Sequence, residues 1–244
     1  MHIFFSVGEP SGDQHGAELM DTISQRAPGV RFSGFGGPHM EDAGLNSLCR
    51  LTDHAVMGVW AVIPLLLTFY RLVQKAGRFL EEQKPDAVVL IDFPGFNWWI
   101  ARKAKRAGVP VYYYMPPQLW AWAPWRIRKV RRFIDHILAA LPFEADWYRD
   151  RGVSVEYVGH PFFDEVAEKE LDQPFCRKLR NDASSEAAVQ DARDDAAADS
   201  DSPRILGVLP GSRNQEVRRN FPVMLQVLRN LHARHPGVRF PVAC

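Results

Sequence analysis

The segment Ala87–Ile91 constrains the fold most, because it is apolar at every position. A strand with one solvated face alternates apolar and polar residues, whereas a strand covered on both faces does not. We therefore predict that both faces of the sheet containing Ala87–Ile91 are covered. Helices are the usual cover when strands and helices alternate along a chain.

Such an alternation runs through the first two thirds of the sequence. The predicted strands are Ile3–Val7, Val30–Phe35, Ala87–Ile91, Val109–Tyr114, His136–Ala140 and Val155–Val158. The predicted helices are His15–Arg26, Leu65–Gln83, Trp98–Ala107, Ile127–Phe133 and Glu144–Arg151. This order predicts an α/β fold with a parallel sheet and helices on both of its faces.

Residues 181–202 interrupt the alternation with seven acids, one base and no aromatic residue. Such a composition buries too little apolar surface to offset the entropy lost on ordering. We predict a disordered acidic insertion at 176–203, between an N-terminal domain at 1–175 and the beginning of a second domain at 204–244. In the second domain, a strand at Arg204–Leu209, a helix at Glu216–Arg234 and a strand at Val238–Ala243 are predicted.

Charge is distributed unevenly along the chain. The acidic segment carries a net charge of −6 and the whole chain +1, which leaves +7 on the remaining residues. A basic body of this kind favours an anionic partner, namely a phosphorylated small molecule, a membrane surface or a nucleic acid. Charge alone does not choose among these three.

Two carboxylates directly follow predicted buried strands. Glu9 stands in the turn Gly8-Glu9-Pro10-Ser11-Gly12-Asp13, and Asp92 comes directly after Ala87–Ile91. Open α/β sheets bind ligands at the carboxyl ends of their strands. A partly desolvated carboxylate there has a raised proton affinity, which suits general base catalysis. The other interpretation is that Ser11, Asp13 and Asp92 only cap helices or form turns.

A third strand-to-helix turn, Leu209-Pro210-Gly211-Ser212-Arg213, precedes Glu216. Backbone N–H groups at Gly211 and Ser212, with the guanidinium of Arg213, could meet a phosphate. A capped turn with an exposed arginine is the alternative. The histidine spacing fits no metal-binding motif, so neither a metal nor another cofactor is predicted.

Two apolar regions could form binding surfaces. Aromatic residues are dense at 112–125 and are followed by a basic helix at 126–132. Aromatic rings beside cations can bind a sugar, stack on nucleobases or lie at a lipid interface. Residues 56–70 carry no charge but are too few to cross a bilayer. They form either part of the core or a membrane-contacting patch, for which the candidates are Val59, Trp60, Ile63, Leu66 and Leu67.

Several short blocks occur in a characteristic order. They are Gly8-Glu9-Pro10-Ser11-Gly12-Asp13, Gly36-Gly37-Pro38-x-Met40, Val56-Met57-Gly58, Ile91-Asp92-x-Pro94-x-Phe96-Asn97, Pro117-Gln118-x-Trp120-Ala121-Trp122, Leu141-Pro142-Phe143-Glu144, Val158-Gly159-His160-Pro161 and Leu209-Pro210-Gly211-Ser212-Arg213. Each block alone is weak, but together they resemble the lipid-A-disaccharide synthases, an inverting glycosyltransferase family.

This resemblance implies a GT-B arrangement of two Rossmann-like domains, of which the second is only begun here. The first would bind an acylated sugar phosphate and touch the inner-membrane surface from the cytoplasm, and the second would bind UDP-2,3-diacylglucosamine. The products would be a β-1,6-linked disaccharide phosphate and UDP. The resemblance implies no nucleic-acid partner and leaves a homodimer open.

The resemblance also assigns roles to individual residues. It places the base at Asp92, a supporting carboxylate at Glu9 and the donor-phosphate contact at Arg213. The candidate substrate-binding residues are Ser11, Asp13, Asn97, Gln118, Trp120, Gly211, Ser212, Arg213 and Glu216.

Two departures from the family pattern qualify these expectations. Gly95 stands where the family usually has an acid, and the family continues beyond residue 244, so an incomplete chain with impaired activity is expected. The alternatives are a non-catalytic fragment that binds lipid or membrane, and another GT-B enzyme acting on a UDP-sugar.

Overall fold

A computed structural model describes residues 1–54, 66–180, 204–211 and 214–243. It divides the chain into two compact units, Met1–Glu168 and Lys169–Cys244, so the boundary precedes the predicted one at residue 175. Most of the predicted acidic insertion lies outside the described residues. Its first residues, 176–180, are helical rather than disordered, because they complete the helix Gln173–Arg180.

The first unit is built on a seven-stranded sheet in which every neighbouring pair is parallel. The strands are β1 (His2–Val7), β2 (Arg31–Gly36), β3 (Leu45–Arg50), β4 (Ala87–Ile91), β5 (Val111–Tyr114), β6 (His136–Ala139) and β7 (Val155–Tyr157). Their order across the sheet is β3-β2-β1-β4-β5-β6-β7. The predicted parallel α/β sheet is thus confirmed.

Helices connect these strands. They are α1 (Pro10–Arg26), α2 (Pro38–Asp42), α3 (Leu66–Gln83), α4 (Pro94–Ala107), α5 (Leu119–Trp122), α6 (Ile127–Phe133), α7 (Pro142–Arg149) and α8 (Phe162–Glu168). Within the described part of the chain, no helix combines the length and hydropathy needed to cross a membrane.

Three helices begin earlier than predicted, and each begins at a proline. Pro10 opens α1, Pro94 opens α4 and Pro142 opens α7. Proline is well accepted in the first helical turn, because the N–H group that it lacks has no partner within the helix there. The Pro94-Gly95 dipeptide therefore begins a helix.

The core lies on both faces of the sheet, as the apolar strand β4 predicts. Phe4, Val88 and Leu90 pack on one face with residues of α3 and α4. Phe5 and Ile91 pack on the other face with Met20 of α1. Neighbouring residues of one strand point to opposite faces, so a strand buried on both sides is apolar throughout.

The second unit contains the helices α9 (Gln173–Arg180) and α10 (Asn214–Arg234). Two isolated parallel bridges, Ile205 with Arg239 and Val208 with Val242, lie where two strands were predicted. Between these bridged segments, α10 completes the expected strand-helix-strand order and begins two residues before the predicted start at Glu216.

Candidate active site

The candidate site lies where the strand order reverses. From β1 the chain proceeds outward to β2 and β3, then returns to β4 on the other side of β1. Such a switch point leaves a crevice at the carboxyl ends of the two central strands, where doubly wound sheets bind ligands. Val7 at the end of β1 is paired with Ile91 at the end of β4. Glu9 and Asp92 therefore leave neighbouring strands at this crevice.

The backbone at Asp92 is unusual. Asp92 and Phe93 both have left-handed conformations, with φ of 47° and 41°. For a residue with a side chain this region is sparsely populated and costs about 1–3 kcal/mol. Two such residues in succession persist only where the surrounding structure holds them firmly, which is typical of functional turns.

Hydrogen bonds to the Asp92 carbonyl hold this turn. The Asn97 side-chain amide donates to that carbonyl at 2.8 Å, and the Tyr113 hydroxyl donates to it at 2.7 Å. Asn97 also donates to the carbonyls of Ile91 and Ser6, and its own oxygen accepts from the Ser6 hydroxyl at 2.7 Å. Because Asn97 is fully buried, these bonds favour a positioning role over the predicted substrate contact.

The Asp92 carboxyl has an altered acidity. Burial, followed by the negative charge of Glu9, raises the pKa of Asp92 to about 6, although the nearby His15 opposes the shift. Such a carboxyl is ionised at neutral pH yet binds a proton far more readily than an exposed aspartate. This is the combination that a general base needs.

Asp92 lines a cavity of about 350 Å³ at the carboxyl edge of the sheet. Gln118, Trp122 and His160 also line it, as does Glu144. The structure therefore brings together the predicted Asp92 and Gln118. All of these residues belong to the first unit.

Two glycines let the chain pack closely around Asp92. A Cβ atom on Gly12 would lie 3.1 Å from Asp92 Oδ2 and 2.9 Å from Val7 Cγ1. A Cβ atom on Gly8 would lie 2.3 Å from Phe93 Cδ1, too close for any side chain. These glycines are thus needed for the approach of α1 to the Asp92 turn.

Asp13 lies in the interior and not in the cavity. Its carboxylate is 1% exposed and accepts the backbone N–H groups of Gly37 at 2.7 Å, His39 at 3.0 Å and Met40 at 3.1 Å. Those groups open the short helix α2, whose own cap, Gly37, has no side chain. The bonds favour a structural role for Asp13 over the predicted substrate contact.

The remaining predicted residues of the first unit occupy different surroundings. Ser11 is exposed in the first turn of α1, and Glu9 is half-buried just before it. Trp120 is half-buried; its indole N–H donates to Glu144 at 3.3 Å and its ring contacts Phe143 edge-on. These contacts anchor Trp120 at the side of the cavity.

Glu144 is a cavity residue to which the sequence analysis gave no role. It is 3% exposed, and burial raises its pKa to about 7, although the hydrogen bond from Trp120 opposes the shift. A sequence signal was present, because Glu144 stands in the first turn of the helix that follows the strand β6. The cavity thus contains two carboxyl groups of raised pKa.

A second, larger cavity of about 640 Å³ was also missed. Aromatic side chains of α3 and α4 line it, among them Phe69, Phe96 and Trp99, together with Phe93 next to Asp92. Arginine and lysine residues of α4 line it as well, namely Arg102, Lys103 and Arg106. In the sequence, the helical spacing of Arg102, Lys103 and Arg106 after Trp99 was the pattern that could have indicated this cavity.

Some predicted residues lie beyond what the structure describes. Ser212, Arg213, Val59, Trp60 and Ile63 are outside the described residues. Leu66 begins α3, and Leu67 is 70% exposed there.

In the second unit, Glu216 lies against Gly211. A Cβ atom on Gly211 would come within 2.6 Å of the Glu216 Cβ. The two predicted residues are therefore neighbours. Across the described ranges, no group of three histidine, cysteine or acidic side chains could hold a metal ion.

Sequence relatives identify the family. The family model described as lipid-A-disaccharide synthetase matches residues 3–244. A lipid-A-disaccharide synthase of Nitrosococcus oceani is 38% identical over 96% of this chain, and one of Syntrophotalea carbinolica is 38% identical over 99%. The chain spans 56% and 58%, respectively, of the lengths of these two relatives.

Solved structures agree with the predicted fold class. A putative UDP-N-acetylglucosamine 2-epimerase from Listeria monocytogenes superposes with a TM-score of 0.63 at 8% identity, over the whole of this chain and 62% of that one. The UDP-GlcNAc 2-epimerase from Neisseria meningitidis, bound to UDP-GlcNAc, gives 0.57 at 11% identity, over 99% and 64%. At such identities the likeness concerns the fold, and it confirms the predicted GT-B-like α/β class. From the match of the family model over nearly every residue, the chain belongs to the lipid-A-disaccharide synthetase family.

Proposed function

We propose that this chain takes part in a glycosyl transfer from UDP-2,3-diacylglucosamine to 2,3-diacylglucosamine 1-phosphate. The products are a β-1,6-linked disaccharide 1-phosphate and UDP. The observation that carries this proposal is the Asp92 carboxyl, presented at the sheet's switch point in a cavity and with its pKa raised to about 6.

In this mechanism Asp92 is the general base. Its carboxylate takes the proton of the acceptor 6-hydroxyl as that oxygen attacks the anomeric carbon of the donor. UDP leaves from the opposite face in the same displacement, so the configuration at the anomeric carbon inverts. Glu9 keeps the proton affinity of Asp92 high through its negative charge.

The larger cavity supports an acylated substrate. Along the turn, Asp92 and Pro94 line the smaller cavity, whereas Phe93 and Gly95 line the larger one. The turn therefore contributes residues to the walls of both cavities. A sugar whose hydroxyl reaches Asp92 can therefore place an acyl chain among the aromatic rings beyond Gly95, where apolar contact is favourable.

The donor and the membrane complete the proposal. Arg213, with Gly211, Ser212 and Glu216, is proposed to bind the UDP phosphates, because guanidinium groups and helix N-termini bind such anions. Peripheral contact with the inner membrane from the cytoplasm is proposed through the predicted patch that includes Leu67, which is exposed. A homodimer remains part of the same hypothesis.

An acceptor comparison tests this function. The chain is joined to the C-terminal remainder of its Nitrosococcus oceani relative, and UDP release and disaccharide formation are measured. We expect 2,3-diacylglucosamine 1-phosphate to react at least about ten-fold faster than glucosamine 1-phosphate, because buried acyl chains contribute about 0.8 kcal/mol per methylene. Equal rates would favour another GT-B enzyme.

The same preparation separates the remaining alternatives. A non-catalytic lipid-binding fragment predicts vesicle binding that survives Asp92→Ala and no disaccharide at any substrate concentration. A nucleic-acid-binding protein predicts steeply salt-dependent binding to RNA or DNA.

A further inference from the structure

We propose that Glu144 binds the 4-hydroxyl of the acceptor sugar and so helps to direct the reaction to the 6-hydroxyl. This inference rests on the proposed function, because it assigns one contact of the same acceptor. It concerns a residue that neither the sequence analysis nor the family resemblance gave a role.

The position of Glu144 places it in the acceptor's surroundings. Glu144 lies in the first turn of α7, which follows β6, and it lines the same cavity as Asp92. Asp92 and Glu144 thus reach one cavity from the ends of two strands, β4 and β6, which are separated by β5. A ligand in a cavity of about 350 Å³ can contact both carboxyl groups.

Glu144 also has hydrogen-bonding capacity to spare. Its Oε1 accepts the Trp120 indole N–H at 3.3 Å. No side-chain hydrogen bond to its Oε2 is present among the described residues, and the Glu144 side chain lines the cavity. A carboxyl oxygen without a partner, in a side chain that lines a cavity, can bond a polar group of the molecule that fills the cavity.

The groups facing Glu144 leave it without a strong counter-charge. Asp92 and His160 line the cavity with it, and Tyr148 lies one turn further along α7. Among the described residues no salt bridge involves Glu144. A hydroxyl group suits this environment, because it can accept from a protonated carboxyl or donate to an ionised one.

The chemistry of the acceptor selects one hydroxyl. In 2,3-diacylglucosamine 1-phosphate, position 1 carries phosphate, positions 2 and 3 carry acyl groups and position 6 reacts at Asp92. The 4-hydroxyl is then the remaining hydroxyl of the ring, and it is the ring neighbour of the C6 substituent. Binding of the 4-hydroxyl by Glu144 would keep it away from Asp92 and leave the 6-hydroxyl to react.

The test compares two probes on three forms of the chain: the wild type, Glu144→Leu and Glu144→Gln. Binding of 2,3-diacylglucosamine 1-phosphate and of its 4-deoxy analogue is measured in detergent micelles through tryptophan fluorescence, since Trp122 lines the cavity. The wild-type chain is expected to bind the 4-deoxy analogue about ten-fold or more weakly, as for the loss of a hydrogen bond to a charged group. Glu144→Leu is expected to bind both probes alike, and Glu144→Gln to retain part of the discrimination.

Trp120→Phe is the matched control for a purely structural role. It removes the indole donor but keeps an aromatic ring, so it should preserve the discrimination between the two probes whatever it does to their common affinity. Equal binding of both probes by the wild-type chain would overturn the role of Glu144 alone. Absence of binding of either probe by the wild-type chain would overturn the proposed acceptor, and the role of Glu144 with it.

Discussion

Asp92→Asn is expected to lower the turnover number of the completed enzyme by about 10²–10⁴-fold, the usual contribution of a general base. The amide has the shape of the carboxylate but does not take up the proton of the attacking hydroxyl. The turn should survive, because Asn97 and Tyr113 bond the backbone carbonyl of Asp92 and not its side chain. Disaccharide formation under saturating substrates measures the effect.

Asp42→Asn is the control, because Asp42 is exposed at the end of α2. This variant should retain the wild-type turnover number. Turnover of Asp92→Asn within a factor of three of the wild type would remove Asp92 from the chemical step.

Asp92→Asn is also expected to stabilise the first unit at pH 8. The pKa of Asp92 rises from 3.8 to about 6 on folding, so the folded state binds the proton more tightly than the unfolded state. The stability that this proton confers is present below about pH 4 and is lost as the pH rises through about 6. At pH 8 the uncharged asparagine should therefore raise the free energy of unfolding by about 2–3 kcal/mol, a gain that shrinks towards pH 4.

Asp13→Ala is expected to have the opposite effect on stability. It removes the carboxylate that accepts hydrogen bonds from the backbone N–H groups of Gly37, His39 and Met40. These N–H groups are buried or partly buried. Unsatisfied buried groups and a lost helix cap together suggest a destabilisation of about 2–4 kcal/mol. Urea unfolding followed by tryptophan fluorescence measures it, because all seven tryptophans of the sequence fall between residues 1 and 168, the bounds of the first unit.

The exposed Asp21 on the same helix provides the comparison. Asp21→Ala should change the free energy of unfolding by no more than about 0.5 kcal/mol. If Asp13→Ala were equally mild, and instead weakened substrate binding, the sequence-based assignment of Asp13 to the substrate would be preferred.

Local patterns were sufficient to predict the central part of the sheet. The apolar run Ala87–Ile91 predicted a strand covered on both faces, and the carboxylates following β1 and β4 predicted a site at their ends. In contrast, β3 was missed because it is an edge strand, with only Leu45 fully buried and no regular apolar pattern. The helix α2 was missed because its start depends on hydrogen bonds that its backbone N–H groups donate to Asp13, which is distant in the sequence.

The details of the site depend on such distant contacts too. Nothing local indicates that Asp92 and Phe93 adopt left-handed conformations, since neither is a glycine. The position of Asn97 in the sequence suggests a ligand contact. In the structure its side chain lies in the interior and makes four hydrogen bonds, with Ser6, Ile91 and Asp92. Glu144 lines the same cavity as Asp92 because the sheet places β6 two strands from β4, with β5 between them.

A direct titration of the Asp92 carboxyl is the most direct test of its role as the base. Carbon-13 NMR of the aspartate side chains, with Asp92→Asn to assign the signal, gives its midpoint. We expect a midpoint near pH 6 that falls when Glu9 is replaced by glutamine, because the negative charge of Glu9 contributes to the raised pKa. A midpoint near pH 4 that Glu9→Gln leaves unchanged would mean that Asp92 is an ordinary exposed carboxylate and not a base held ready in a crevice.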